Sequence, residues 1–202
     1  MKYGISSILP ILFLLGVVPV TFTLDNISPK PAQARPSKKP ATNQQKFQTF
    51  TLPQKFSISY PTGWFVQHQS NQPGADPREL VIITSLKPPK TGEGGVFPVN
   101  LIKTDIYLEE GAYETHLKRM MDSIGKDSMG STPSRITKQA KVVIGGREAY
   151  RWWTTDSDGE AIITLVRYSD TETIEIASFY NSKNSAAGTI VERIHDSFST
   201  QR

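Results

Sequence analysis

Residues 135–180 read RITKQAKVVIGGREAYRWWTTDSDGEAIITLVRYSDTETIEIASFY. Four apolar, β-branched runs alternate here with turn-forming pairs. Arg135 to Ile144 places Ile136, Ala140, Val142 and Ile144 in the period-2 phase of a half-buried strand. Gly145-Gly146 supplies positive φ twice, as a two-residue hairpin turn requires. Arg147 to Thr155 returns, and Asp156-Ser157-Asp158-Gly159 turns again. Ala161 to Tyr168 is almost continuously apolar, which predicts a central strand. After Asp170-Thr171, Thr173 to Tyr180 is the last run. Short turns between consecutive strands predict an antiparallel meander.

Working outward, Phe47 to Leu52 and Phe56 to Tyr60 are short strands, the second with Phe56, Ile58 and Tyr60 on one face. Pro61 and Gly63 turn the chain and return Trp64 to the core. Gln67 to Pro77 and Lys87 to Gly95 read as loops, separated by a strand from Leu80 to Leu86. Val99 to Leu108 is a further strand with Ile102, Ile106 and Leu108 in phase. The period then changes. Tyr113, Leu117, Met120, Met121 and Ile124 mark an amphipathic helix over about 110–126, stopped by Gly125 and by Gly130 through Pro133. Ile190, Val191, Ile194 and Phe198 mark a closing helix over about 185–198. The expected class is α+β: a central antiparallel sheet flanked by helices.

The chain has 202 residues, no cysteine and a net charge of +4. Without cysteine there are no disulfides, thiolate metal sites or thiol chemistry. The charge is unevenly placed. Residues 1–34 carry +1 and have a basic start, an uncharged apolar stretch from Ile8 to Val18 and Ala32-Gln33-Ala34, the layout of a signal peptide. Residues 35–46 form a Pro-rich arm whose Arg35, Lys38, Lys39 and Lys46 contribute +4. The remaining domain, 47–202, carries −1. Nonspecific nucleic-acid binding needs a basic face, yet the longest basic cluster is Lys38-Lys39 in the arm and no recognition motif is visible, so nucleic acid is not an expected partner.

No catalytic constellation is legible. His68, His116 and His195 have no metal-ligand spacing and read as surface or cap residues. Asp156 to Gly159 lacks the glycine position and the flanking helices of a calcium loop and reads as a hairpin turn. Glu109, Glu110 and Glu114 read as acids at the start of a helix, where they complement its dipole. Trp152-Trp153 sends one indole to each side of its strand. One is core; the other, taken as Trp152, is a contact residue on the open face.

The run Phe56 to Phe65, FSISYPTGWF, resembles the opening of the PsbP-like families. The Gly145 to Tyr150 hairpin and the terminal helix ending in Ser197-Phe198 extend that resemblance over about 47–199. Asn100 to Thr104 matches the photosynthetic members only loosely. The resemblance implies an α-β-α sandwich and a non-enzymatic exported protein of a cyanobacterial thylakoid lumen or a periplasm. It would associate with a membrane-protein complex, photosystem II or an assembly intermediate. The candidate contact residues are Arg35, Lys38, Lys39, Lys46 and Trp152. Some members of such families bind calcium or zinc, but no ligands map onto this chain and no cofactor is expected from its own residues. The alternative is a periplasmic envelope protein that binds a small ligand or cation and has no photosynthetic role.

Overall fold

A computed structural model describes residues 45–70, 77, 79–87, 98–124, 134–157 and 159–201. The leader, Arg35, Lys38, Lys39, most of both predicted loops and the helix stop at 125–133 lie outside the described residues. The elements in order are β1 (Phe47–Leu52), β2 (Phe56–Pro61), β3 (Phe65–Ser70), β4 (Glu79–Thr84), β5 (Ile102–Glu110), α1 (Tyr113–Ser123), β6 (Arg135–Ile144), β7 (Arg147–Thr155), β8 (Glu160–Arg167), β9 (Glu172–Tyr180), α2 (Ala187–Asp196) and β10 (Ser199–Thr200).

The predicted meander forms. Strands β6 to β9 pair consecutively and antiparallel, and β5, β4 and β3 extend the sheet from β9 to seven strands. Gly145 and Gly146 have φ of 55° and 76°, as the hairpin requires. A Cβ on Gly145 would lie 2.8 Å from the Phe198 carbonyl oxygen, so this turn also seats the chain after α2. At the next turn Asp156 Oδ1 accepts from the Gly159 N–H at 2.9 Å, the closure of a hairpin turn.

The expected helix-flanked central sheet is not what the chain builds. Ten strands in two antiparallel sheets carry the fold among the described residues, with two helices of 11 and 10 residues. The second sheet, in order β1-β2-β10, is the reason. Strand β2 has both edges paired, and its Phe56, Ile58 and Tyr60 are buried against Val81, Ile106, Leu108, Ile174 and Ile176 of the seven-stranded sheet. A small sheet thus covers surface that a flanking helix was expected to cover. Helix α2 adds Ile194 to the same core, and Phe198 follows it. Apolar burial on this scale supplies most of the stabilisation, at about 25 cal/mol per Å².

Two boundaries also moved. Residues Gln67 to Ser70 are strand rather than loop, because the register Gln67↔Ile82 to Ser70↔Glu79 gives their backbone partners. Helix α1 begins at Tyr113 rather than near Glu110, because Glu109 and Glu110 end β5, paired with Thr173 and Glu172.

Candidate functional site

Alternation along β5 divides Ile102-Lys103-Thr104-Asp105-Ile106-Tyr107-Leu108-Glu109 between two faces. Ile102, Ile106 and Leu108 enter the core. Lys103, Asp105, Tyr107 and Glu109 lie on the far face, which α1 covers only in part. Beneath α1, Tyr113, Leu117, Met120 and Ile124 pack with Trp152, Leu165, Tyr150 and Ile163 of β7 and β8. Among the described residues the β3–β4–β5 portion has no such apolar helix packing, and Phe65 there is 40% exposed.

The polar groups of this portion are incompletely satisfied. Asp105 is 3% exposed. Its Oδ2 accepts from Lys103 Nζ at 2.7 Å and faces the Tyr107 hydroxyl at 3.4 Å. Its Oδ1 and Thr84 Oγ1 are the two buried side-chain polar atoms without a hydrogen-bond partner among the described residues. Thr84 pairs across with Lys103 and Ile82 with Asp105, which makes Thr84 and Asp105 diagonal neighbours on one face. Asp105 pairs with Ala177 and Tyr107 with Glu175, so Glu175 is the next diagonal neighbour. Among the described residues the Glu175 carboxyl makes no hydrogen bond or ion pair. Burial first, then the charge of Glu109, push it up to about 7, while Arg119 pulls the other way. Burial and then Asp105 push the Tyr107 phenol up to about 12. The unpartnered atoms of Thr84 and Asp105 and the half-buried Glu175 carboxyl thus lie along one diagonal. Beside it, Gln67, His68, Gln69, Leu80 and Ile82 line a hollow of about 490 Å³.

His116 closes the far end. Its Nε2–H donates to the Glu110 carbonyl at 3.0 Å, so Nδ1 is the variable nitrogen. Nδ1 lies 2.8 Å from Arg119 Nη2 and 2.7 Å from Glu109 Oε2. The neutral ring accepts from Arg119; the imidazolium donates to Glu109. A Cβ on Gly111, whose φ is 127°, would stand 2.6 Å from His116 Nε2. Gly111→Ala is therefore expected to cost about 1–3 kcal/mol, read as a lower Tm, and an unchanged Tm would show that His116 is free to move.

The other two histidines also have set roles. His68 Nε2 and Ser70 Oγ both bond the same oxygen of Glu79, at 2.7 Å each, and Lys55 bonds the other. The Ser70 proton is thus used on Glu79 rather than on His68. These partners outweigh burial and hold the Glu79 carboxyl below the usual range. His195 is fully buried: Nδ1 is 2.8 Å from Thr164 Oγ1 and Nε2 is 2.9 Å from Ser178 Oγ, which meets Thr104 Oγ1 at 2.7 Å. Arg151 bridges Thr164 to Asp196. Burial, then Arg151, drives the His195 pKa well below 6.5, so the ring stays neutral.

These placements correct the expectation of surface histidines: His116 is 4% exposed and His195 0%. The missed signal was helical phase, since His195 is four residues from Val191 and His116 three from Tyr113, both buried. Trp152 is also corrected. It is 0% exposed, under α1, so it presents no indole to a partner. Trp153 is the half-buried one, donating to Glu192 at 2.8 Å with the Lys138 ammonium 4.0 Å over its ring. Lys46 is exposed. Of the predicted acids, Glu114 alone lies in the first turn of α1, where it pairs with Arg167.

A larger hollow of about 680 Å³ lies at the β7–β8 turn, with Ala161, Ile163 and Phe179 among its lining residues. Neither unpartnered buried atom lines it. Among the described residues no three His, Asp or Glu groups could together hold a metal ion. No helix among them is long and apolar enough to cross a membrane.

No protein-family model matches the chain, and no curated protein matches it. Among solved structures it is similar to the solution structure of cyanobacterial PsbP (CyanoP) from Synechocystis sp. PCC 6803, with a TM-score of 0.51 at 11% identity over 80% of this chain and 96% of that one. It also aligns with LpqN, involved in cell envelope biogenesis of Mycobacterium tuberculosis, with a TM-score of 0.43 at 10% identity over 77% and 92% of the two chains. At such identities the likeness to CyanoP is one of fold, and the fold of the described residues is PsbP-like.

Proposed function

We propose that this chain is a non-enzymatic, exported accessory module that binds a protein partner on a membrane complex. In a photosynthetic host that complex would be photosystem II or one of its assembly intermediates, on the lumenal side. The observation that carries this reading is the β3–β4–β5 part of the far face, which among the described residues α1 covers only in part, where two buried polar atoms lack partners beside the exposed Phe65. The Ser178–His195 pair, which in another setting could serve as nucleophile and base, is sealed in the core and positions α2 against β8 and β9. A signal-peptide-like leader and a basic arm suit delivery across a membrane and retention near an anionic surface, at about 1 kcal/mol per basic residue.

Affinity-tagged protein expressed in the native host, crosslinked and fractionated, is expected to migrate with membrane complexes. Recovery only as a free monomer, together with normal photosynthetic electron transport in a deletion strain, would count decisively against the proposal. A second reading, an envelope protein that binds a small ligand, is favoured by the larger hollow at the β7–β8 turn. Thermal-shift screening with calcium, zinc and small lipids tests it, and no shift with any of them removes it.

A further inference from the structure

The diagonal Thr84–Asp105–Glu175 is an acceptor set without a complete donor. Lys103 supplies one ammonium to Asp105 Oδ2, yet Oδ1 and Thr84 Oγ1 remain buried without partners. Leaving such atoms unpaired is costly in any fold, so their clustering on one face of adjacent strands calls for a ligand. The missing group is cationic, because two of the three members are carboxyls and a third, Glu109, lies further along the same face. Glu109 is already engaged by Arg119 at 2.7 Å.

A single metal ion fits poorly. Among the described residues no three His, Asp or Glu groups come together as a metal ion would need, and calcium or magnesium takes about six or more oxygen ligands. A guanidinium fits better. It presents five N–H donors in a rigid plane, so one group can bridge acceptors on neighbouring strands or grip one carboxylate with two bonds. Lysine, a point charge, leaves the second oxygen unmet, as Lys103 does here. Leu80 and Ile82 are the cross-strand neighbours of Tyr107 and Asp105, and the hollow beside them can receive a methylene stem.

We propose that this diagonal is the docking site for an arginine side chain of a protein partner, which displaces the Lys103 amine and bridges Asp105 to Glu175. The inference rests on the accessory-module reading and specifies its binding face. Lys103 acts as a resident cation that caps Asp105 while the partner is absent. Its side chain is 37% exposed, so it has solvent to swing into. Lys103→Met would leave Asp105 without that cap and is expected to tighten arginine binding, whereas it would weaken a merely structural ion pair and nothing else.

The test uses the full chain at low salt with acetyl-tetra-arginine amide as the probe, binding being measured by calorimetry and located by carboxyl-carbon NMR. Wild type is expected to bind, with the Glu175 carboxyl resonance moving toward its ionised position. Glu175→Gln should weaken binding at least tenfold, and Lys103→Met should tighten it about threefold or more. A tetra-citrulline peptide, with the same shape and no charge, should not bind. Equal affinity in the Glu175→Gln variant, or no tightening in Lys103→Met, overturns the proposal. So does a shift at Glu175 produced by calcium, magnesium or zinc but not by the arginine peptide. Should Lys103→Met unfold, Lys103→Gln serves the same purpose. Failure here is separable from failure of the functional reading. If the native protein fractionates with a membrane complex and Glu175→Gln does so equally, the docking site is wrong and the accessory role stands. If the native protein never does so although the peptide binds as expected, the reverse holds.

Discussion

Replacing Trp152 with alanine is expected to lower the unfolding free energy by about 3–5 kcal/mol, the usual cost of emptying a fully buried aromatic site. Its indole is 0% exposed and stands 4.6 Å, centroid to centroid, from the Tyr150 ring. Tyr113 of α1 and Leu165 of β8 complete the cluster, so the cavity opens where α1 meets the sheet. Trp153, one position along and on the opposite face, is half-buried, donates one side-chain hydrogen bond and has cation–π contacts with Lys138 and Arg151. Trp153→Ala is expected to cost less than half as much, about 1–2 kcal/mol. Urea unfolding of both variants checks the difference. Equal costs would mean that α1 does not seal Trp152, and would reopen that residue as a contact surface.

Glu175→Gln is expected to change how stability depends on pH. The folded Glu175 titrates at about 7, against an ordinary 4.5, so between those values the folded chain holds a proton that the unfolded chain releases. Stability from this group therefore falls as pH rises through that window, by up to about 1.4 kcal/mol per pH unit. His195 acts in the opposite sense. Its folded pKa lies well below 6.5, so below 6.5 the unfolded chain takes up a proton that the folded chain refuses, and stability falls as pH falls. From about 4.5 to 6.5 the two slopes oppose each other. The groups that face Glu175 are Asp105, Tyr107 and Glu109 from β5 and Arg119 from α1, with His116 bonded to the last two. Removing the Glu175 carboxyl should leave the His195 slope unopposed, giving stability that climbs with pH up to about 6.5. The variant should also gain on wild type steadily from pH 4.5 to 7. Denaturant midpoints at half-unit pH steps would show it. A variant-minus-wild-type difference that is flat with pH would mean that Glu175 titrates as an ordinary surface carboxyl.

Some of this organisation was legible in the chain. The runs between Arg135 and Tyr180 could form little other than hairpins, because Gly145-Gly146 and Asp156 to Gly159 close them with local backbone chemistry. Alternation in β5 assigned Ile102, Ile106 and Leu108 to the core. Other features needed partners that spacing does not name. Gln67 to Ser70 is polar and read as loop, yet β4 makes it strand by hydrogen bonding. Two residues of β10, Ser199 and Thr200, are strand only because Ser57 and Phe56 stand opposite them. Strands β1 and β2 were legible from their own residues, but not that they join β10 in a separate sheet, and the expectation of a helix-flanked sandwich followed from that.

By itself the sequence determined period, turn positions and the sorting of charge along the chain, because these depend on neighbours within a few residues. It fixed that the positive excess lies in the leader and arm and that the domain is nearly neutral. Tertiary structure alone decided which indole is buried, on which side of α2 His195 lies, and that Thr84, Asp105 and Glu175 share one diagonal. The physical reason is register: those three residues come from three strands, and only the pairing of β4 with β5 and of β5 with β9 places their oxygens on one face.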